Sequence, residues 1–207
     1  QGISDPGFFA FGNKIFRDDK PGGHGFVDMY RAVALSCDTY FYQLANDMGV
    51  DAMHDFMKQF GMGQITGIDL EHERKGLLPS TAWKREAFKK TVNQRWIPGD
   101  TISLGIGQGQ NTFTPLQMAH ATANLVNNGV VMKPHLVKMV EDPQTRARTL
   151  TVPKESYRIP LKQENIDFIK NAMAGVVREG TGSKVFAGAP YQSGGKTGTA
   201  QVVSMKK

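Results

Sequence analysis

One segment near the end of the sequence has residue types suited to binding an anion: Ser193-Gly194-Gly195-Lys196-Thr197-Gly198-Thr199. Lys196 brings a positive charge, and Thr197 and Thr199 bring two hydroxyl donors. The intervening glycines let the backbone approach a ligand closely. The pattern predicts an anion-binding edge on a strand that runs from Gln192 to Val203.

A second group that could take part in chemistry lies far upstream, at Ser36-Cys37-Asp38. Taken alone, such a triplet before a helix most often caps that helix. A single Lys-Thr-Gly triplet is likewise a weak signal. Lys-Thr-Gly and a Ser-x-Asn triplet are, however, two of the three signatures shared by penicillin-binding proteins and class A β-lactamases, and Ser36-Cys37-Asp38 is a variant of the latter.

Periodic apolar residues predict the helices that must position these groups. A helix is expected after Ser36 and ends at Gly49, and a second begins at Asp51 and ends at Gly61. Further helices are expected from Thr81, from a capping box at Thr114 to Asn127, and from Ile166 to Gly180.

Strands are predicted mainly in the second half of the chain, from Val130 to Val140 and from Arg146 to Ile159. The first thirty residues show no period and predict loop. Helices that precede strands favour an α+β domain with an antiparallel sheet. We interpret residues 1–207 as part of one such domain, cut off before the sheet is finished.

Composition limits the classes of protein that remain. The 207 residues carry a formal net charge of +6, and 40% of them are hydrophobic, which suits a globular chain. The sequence contains no apolar run of membrane-spanning length and no signal peptide, so we expect any membrane anchor to lie outside it. One cysteine excludes an internal disulfide.

Basic residues are dispersed, apart from Lys84-Arg85 and Lys89-Lys90 between Trp83 and Trp96. Such a run is usually a solvated surface, and the alternative is contact with a polyanionic glycan or a partner. We expect no nucleic-acid partner. The glycines of Gly105-Ile106-Gly107-Gln108-Gly109 predict a tight turn, because the strand and the lysine of a nucleotide-binding loop are missing.

Four segments in this order resemble class B penicillin-binding proteins over nearly the whole chain. They are Ser36-Cys37-Asp38, Gly105-Ile106-Gly107-Gln108-Gly109, Thr114-Pro115-Leu116-Gln117-Met118-Ala119 and Lys196-Thr197-Gly198-Thr199-Ala200-Gln201. Three more segments are most similar to the elongation-specific penicillin-binding protein 2 group of rod-shaped Gram-negative bacteria. They are Asp38-Thr39-Tyr40-Phe41-Tyr42-Gln43, Thr66-Gly67-Ile68-Asp69-Leu70 and Pro98-Gly99-Asp100.

The resemblance implies the serine β-lactamase-like transpeptidase fold. It also implies a peptidoglycan D,D-transpeptidase that acts on stem peptides, binds β-lactams and faces the periplasm from the inner membrane. Membrane-embedded elongation proteins would be its partners, through parts outside this chain.

The resemblance also assigns roles to residues. Ser36 would pass a proton between nucleophile and leaving group, Asp38 would orient the acceptor, and Lys196 would supply fixed positive charge. Thr197 and Thr199 would hold the terminal carboxylate of the donor, and the Thr199 amide would donate to the oxyanion. Gly198 would leave room for the substrate along the strand edge. Asp38 stands where the family more commonly has asparagine.

The third signature, Ser-x-x-Lys with the acylated serine, is not found at a helix opening in these residues. We therefore expect this chain alone to be inactive, with the nucleophile upstream of it. A serine β-lactamase, a β-lactam sensor and a non-catalytic scaffold for elongation proteins remain alternatives. Nothing in the sequence resembles the deacylating carboxylate that a β-lactamase would need.

A metal site is also conceivable, because Asp5, Asp18, His24 and Cys37 offer one sulfur, one nitrogen and two oxygen ligands. Their spacing matches no zinc-finger pattern, so a buried cysteine beside a loop histidine is the simpler interpretation from the residues alone. The resemblance raises the expectation of a structural zinc ion, since some members of the group look able to hold one beside the active site. Asp19 and His54 are weaker candidates. The chemistry itself requires no cofactor.

Overall fold

The structure is a computed structural model that describes residues 2–199, and within them seven α-helices and eight short strands form. The helices are α1 (Met29–Leu35), α2 (Asp38–Met48), α3 (Val50–Lys58), α4 (Thr81–Ala87), α5 (Pro98–Leu104), α6 (Pro115–Val126) and α7 (Gln163–Arg178). The strands are β1 (Gly2–Asp5), β2 (Phe8–Phe11), β3 (Lys14–Arg17), β4 (Gly25–Asp28), β5 (Val130–Met132), β6 (Met139–Glu141), β7 (Arg148–Leu150) and β8 (Glu155–Arg158).

All strand pairs are antiparallel, as predicted for an α+β chain: β1 with β4, β2 with β3, β5 with β8, and β6 with β7. In the described residues they form four separate two-stranded sheets, whereas the sequence predicted one. The chain divides into two compact units. The first comprises Gln1–Met53, Pro79–Asn111 and Glu164–Lys207, and the second comprises His54–Leu78 and Thr112–Gln163.

The prediction of loop over the first thirty residues was wrong, because β1 to β4 lie there. β2 and β3 form a hairpin around Gly12-Asn13, and Gly12 has a positive φ of 54° that suits glycine. The rings of Phe9 and Phe16 pack on Tyr42 of α2, with ring centroids 6.4 Å and 5.6 Å away. Packing on a helix stabilises a hairpin that would be marginal alone.

Two apolar clusters form the core of the first unit. Val27, Ala32, Cys37 and Tyr40 join β4, α1 and α2. A second cluster joins α1 to α7, with the members Val33, Ala172 and Val176. These clusters hold the junction between α1 and α2 in place from both sides.

In the second unit, the predicted capping box of α6 is confirmed. The Thr114 hydroxyl accepts a hydrogen bond from the Gln117 amide at 3.1 Å, and the Gln117 side chain accepts one from the Thr114 amide at 3.0 Å. The core of this unit contains Phe60, Met62, Val131 and Ile159.

The predicted strand from Gln192 to Val203 is not found in its described part, residues 192–199, and residues 200–203 lie outside the described residues. A strand needs a neighbouring strand for its backbone hydrogen bonds. Here the amide of Gly195 donates instead to the carbonyl of Met173 in α7, at 3.1 Å. In the described part of the chain, no helix is long and apolar enough to cross a membrane.

Candidate active site

Ser36 lies in the turn between α1 and α2 with a left-handed backbone conformation, φ 59° and ψ 43°. This conformation is uncommon for residues other than glycine and costs free energy. The Ser36 amide donates to Val33, and the Cys37 amide donates to Ala32, so the end of α1 holds the turn. A strained serine kept in place by packing on both sides is a candidate functional residue.

Lys196 reaches this turn from the other end of the chain. Its Nζ donates to Ser36 Oγ at 2.7 Å and to the Thr197 carbonyl at 3.0 Å. Burial lowers the pKa of Lys196, while the negative charges of Asp38 and Asp19 act to raise it. The structure thus brings together Ser36 and Lys196, two residues that the sequence analysis proposed for one site.

Asp38 is the first residue of α2 and is half-buried beside the same turn. Burial raises its pKa to about 6, and the nearby charges of Asp18 and Asp19 add to the rise, while Lys196 opposes it. The carboxyl group is therefore closer to neutrality at pH 7 than an ordinary aspartate. A pKa of about 6 nevertheless leaves most of the group ionised at pH 7, so Asp38 keeps a negative charge where the family more commonly has a neutral asparagine.

Thr181 is a site residue that sequence reasoning missed. Its hydroxyl is 2.9 Å from the hydroxyl of Thr197, and its amide donates to the carbonyl of Ala34 at 3.2 Å. Gly180 allows this contact, because a Cβ there would lie 2.0 Å from the Ala34 oxygen. The sequence predicts Gly180 only as the end of a helix, and nothing in it points to Thr181.

Gly198 and Thr199 are exposed. A Cβ added at Gly198 would meet no atom within 4 Å, so the space beside this backbone is open. Their roles in binding and in oxyanion stabilisation stay predictions.

The four residues proposed as metal ligands do converge, since their ligand atoms all lie within 4.8 Å of one another. Asp5 ends β1, Asp18 follows β3, His24 precedes β4, and Cys37 caps α2. His24 Nδ1 is 3.0 Å from Asp5 Oδ2 and 3.2 Å from Asp18 Oδ1, and Cys37 Sγ is 3.5 Å from Asp5 Oδ2. In this ligand cluster Asp5, Asp18 and Cys37 are buried and His24 is partly buried, and Cys37 directly follows Ser36 in the chain.

Hydrogen bonds set the charges of the ligand cluster. Burial acts to raise the pKa of Asp5, but hydrogen bonds from Gly7, Thr39 and His24 outweigh it and lower the pKa to about 2. Burial raises the pKa of the Cys37 thiol, and the charges of Asp18 and Asp5 raise it further, so without a cation the thiol keeps its proton.

The two weaker metal candidates differ in position. Asp19 hydrogen-bonds Asp18 beside the ligand cluster, and burial followed by that contact raises the pKa of Asp19. His54 belongs to the second unit, where its Nδ1 lies 3.2 Å from the Leu78 carbonyl, and it is not part of the cluster.

Comparison with known sequences shows which family the chain belongs to. Residues 8–207 match the family described as the penicillin-binding protein transpeptidase domain. The chain is 44% identical to the peptidoglycan D,D-transpeptidase MrdA of Haemophilus influenzae, covering 99% of this chain and 31% of that protein. It is 41% identical to MrdA of Escherichia coli, covering 99% of this chain and 32% of that protein. The chain thus spans about a third of the length of these relatives.

Solved structures give the same relationship. A crystal structure of Pseudomonas aeruginosa PBP2 in complex with WCK 5153 superposes with a TM-score of 0.84 at 38% identity, covering 98% of this chain and 45% of that one. The PBP2 chain in a complex with MreC from Helicobacter pylori superposes with a TM-score of 0.80 at 31% identity, covering 98% of this chain and 36% of that one. The predicted fold is therefore confirmed, and the chain belongs to the penicillin-binding protein transpeptidase family.

Proposed function

We propose that the protein to which this chain belongs is a peptidoglycan D,D-transpeptidase that cross-links stem peptides through a serine acyl-enzyme. The observation that carries the proposal is the 2.7 Å hydrogen bond from Lys196 Nζ to Ser36 Oγ. This hydrogen bond connects the Lys196-Thr197-Gly198 signature to the Ser36-Cys37-Asp38 signature. The relatives named peptidoglycan D,D-transpeptidase support the same reaction.

In this reaction a serine oxygen attacks the carbonyl carbon between two terminal D-alanines. A serine–carbonyl bond forms, the carbon–nitrogen bond to the last D-alanine breaks, and the leaving amine takes up a proton. The amine of a neighbouring stem peptide then attacks the ester. A new amide forms, and the serine oxygen regains a proton. The attacking serine is expected in the Ser-x-x-Lys segment, which lies outside this sequence.

The proposed role of Ser36 is to relay the proton between the nucleophile and the leaving amine. Lys196 suits this role, because its ammonium donates to Ser36 Oγ and so leaves the Ser36 hydroxyl proton free to be donated to the leaving amine. Asp38, half-buried at the start of α2 beside Ser36, would hydrogen-bond the acceptor amine with its carboxylate oxygens.

Thr197, Gly198 and Thr199 would bind the donor peptide. The hydroxyls of Thr197 and Thr199 would hold its terminal carboxylate, and Thr181 would orient the Thr197 hydroxyl through their 2.9 Å contact. The Thr199 amide would donate to the oxyanion that forms during attack. The open space at Gly198 is compatible with a peptide lying along this backbone.

We further propose that Asp5, Asp18, His24 and Cys37 hold a structural zinc ion. The set fits the metal, because one sulfur, one nitrogen and two carboxylates converge within 4.8 Å, as a tetrahedral site needs. When bound, zinc would supply a cross-link and the positive charge needed to deprotonate the thiol. Through the ion, these four residues would link β1, β3 and β4 to the start of α2, next to Ser36 and Asp38 in the chain.

We also propose that the complete protein works at the periplasmic side of the inner membrane, anchored by parts outside this chain and in contact with elongation proteins. The solved complex between PBP2 and MreC of Helicobacter pylori supports a partner of this kind. Peptidoglycan stem peptides and β-lactams would be the ligands of the site.

The test is acylation of the complete protein by penicillin, followed by intact-mass measurement and peptide mapping. We expect one stable adduct, on a serine upstream of Gln1. Rapid hydrolysis of the adduct would favour a β-lactamase instead. No adduct at all would contradict the acyl-enzyme and leave a scaffold without catalysis.

A further inference from the structure

The surface beside Trp96 contains two hollows, of about 330 Å³ and 420 Å³, that share Thr81 and Trp96 in their linings. Both lie in the first unit, around the end of α2 and the start of α4 and α5. We call the two hollows together the Trp96 groove. It is separate from the residues assigned to chemistry above.

The two halves of the Trp96 groove differ in character. The first is lined by the apolar side chains of Met48, Val50 and Pro98, by the polar groups of Asn46 and Thr101, and by the Asp51 carboxylate, which accepts hydrogen bonds from the Thr81 amide and hydroxyl at 2.9 Å and 2.7 Å. The second is lined by two guanidinium groups and one amide, from Arg85, Arg95 and Gln94. A ligand that fills both would have a mixed polar and apolar body next to a negative charge.

Trp96 is held rigidly between the two halves. Its indole nitrogen donates to the Thr101 hydroxyl at 2.8 Å, and Lys84 Nζ lies 5.1 Å from the ring centroid. Lys84 is itself buried and forms an ion pair with Asp100 at 2.7 Å, so its ammonium group is not available to a ligand. A fixed aromatic side chain loses little freedom on binding, which suits recognition of a sugar or peptide face.

Arg85 and Arg95 are available for an anion. Both are exposed, and in residues 2–199 neither forms an ion pair, whereas nearby Lys89 pairs with Glu86 at 2.6 Å. Two forked guanidinium donors facing one hollow suit a carboxylate. From sequence alone, the basic run is interpreted either as a solvated surface or as a contact with a glycan or partner. Within that run Arg85 lines the groove, and Lys89 and Lys90 do not.

The groove also lies within reach of the proposed chemistry. α2 runs from Asp38 at the active site to Met48 at the groove, about 15 Å at the rise of an α-helix. An extended peptide of five residues spans about 17 Å. A peptidoglycan strand bound at the groove could thus present a stem peptide to Ser36 and Asp38.

We propose that the Trp96 groove binds a peptidoglycan strand, with its sugar and peptide body against Trp96 and a stem-peptide carboxylate between Arg85 and Arg95. This inference rests on the proposed transpeptidase function and adds a second binding site for its substrate. Charge complementarity selects the ligand, because stem peptides end in carboxylates and the free cations of the groove are arginines.

The test compares two double variants of the complete protein, Arg85→Gln/Arg95→Gln and Lys89→Gln/Lys90→Gln. Each removes two positive charges from the same segment, but only the first pair lines the groove. The probe is a disaccharide-pentapeptide with free carboxylates, and its Kd is measured by calorimetry. We expect the arginine variant to bind about tenfold more weakly and the lysine variant to bind as the unaltered protein does. Melting temperatures show that both variants fold.

Two further probes define the ligand. The same disaccharide-pentapeptide with its carboxylates amidated is expected to bind about tenfold more weakly to the unaltered protein. Polyglutamate is expected to bind poorly, because it lacks the sugar. Equal loss of affinity in both double variants, or equal binding of polyglutamate, would overturn the proposal and indicate nonspecific attraction.

Penicillin acylation of the unaltered protein is measured on the same preparation and tests the transpeptidase function separately. If penicillin labels the protein and the arginine variant binds the probe normally, the groove proposal fails and the transpeptidase function stands. If penicillin does not label it and the arginine variant binds more weakly, the groove binds the glycopeptide and the transpeptidase function fails.

Discussion

Gly180 packs against the carbonyl of Ala34, so closely that a Cβ at Gly180 would lie 2.0 Å from that oxygen. The contact places Thr181 beside Thr197 and sets the end of α1 against the turn that follows α7. The arrangement of the proposed active site therefore depends on a glycine, which has no side chain.

The substitution Gly180→Ala should displace this turn, because the atom it meets is backbone and cannot swing away. We expect a loss of about 1–3 kcal/mol in the free energy of unfolding. Penicillin acylation should also slow. Gly99→Ala in α5 is the control, since a Cβ there would also meet no atom within 4 Å. Equal stability of the two variants in denaturant unfolding would show that the turn can move.

Gly198→Ala, in contrast to Gly180→Ala, should slow acylation without lowering stability. The open space around Gly198 predicts an unchanged melting temperature, while the added methyl group would stand where the donor peptide is proposed to lie. We expect slower acylation by penicillin, with Gly99→Ala again as the control. Normal acylation of Gly198→Ala would contradict the proposed path of the substrate.

Two substitutions of Ser36 should distinguish the effect of backbone strain on stability from the effect of the hydroxyl group on acylation. Ser36→Ala removes the proton relay, and acylation should fall by about 10²- to 10⁴-fold. Ser36→Gly should be as inactive, but more stable than Ser36→Ala by about 1 kcal/mol, because φ of 59° costs glycine nothing. Stopped-flow acylation and thermal unfolding measure the two effects. A fully active Ser36→Ala protein would exclude the relay.

Asp69 should make the stability of part of the second unit depend on pH. Its carboxylate accepts hydrogen bonds from the Val137 and Leu136 amides, at 3.0 Å and 2.6 Å, and they lower its pKa. A lowered folded-state pKa contributes stability above the unfolded-state pKa, and this stability is lost as the pH falls through the folded-state value.

We therefore expect the amide NMR shifts of Leu136 and Val137 to titrate together, with a midpoint below the ordinary pKa of aspartate. Asp69→Asn should abolish this titration. A midpoint at or above the ordinary value would mean that the hydrogen bonds are not formed in solution.

Removal of the proposed zinc ion should lower the stability of the protein, and the ion is not expected to take part in the acyl transfer itself. Plasma emission spectrometry of the purified protein should find about one zinc ion per chain, and a chelator should lower the melting temperature. Cys37→Ser should lose the zinc. The control is His54→Gln, whose imidazole lies in the second unit and should leave the zinc content unchanged. Zinc-free protein that melts at the same temperature as the untreated protein would exclude a structural ion.

Local interactions made several elements predictable. The capping box of Thr114 and Gln117 is formed by residues three positions apart, and Gly49 ends α2 as predicted. The hairpin of β2 and β3 carried a local signal too, in the two-residue Gly12-Asn13 turn between apolar runs. The two strands show no clear alternation of polar and apolar residues, so the hairpin was not predicted. Packing of Phe9 and Phe16 on Tyr42 is what distinguishes its two faces.

The sequence by itself determined the family and the candidate residues, because the signature residues and their order can be read without any fold. Only the tertiary structure decided which of them meet. Lys196 contacts Ser36, Thr181 contacts Thr197, and four candidate metal ligands next to β1, β3, β4 and α2 come within 4.8 Å of one another. These contacts join distant parts of the chain, and their distances depend on how helices and hairpins pack, which spacing along the sequence does not encode.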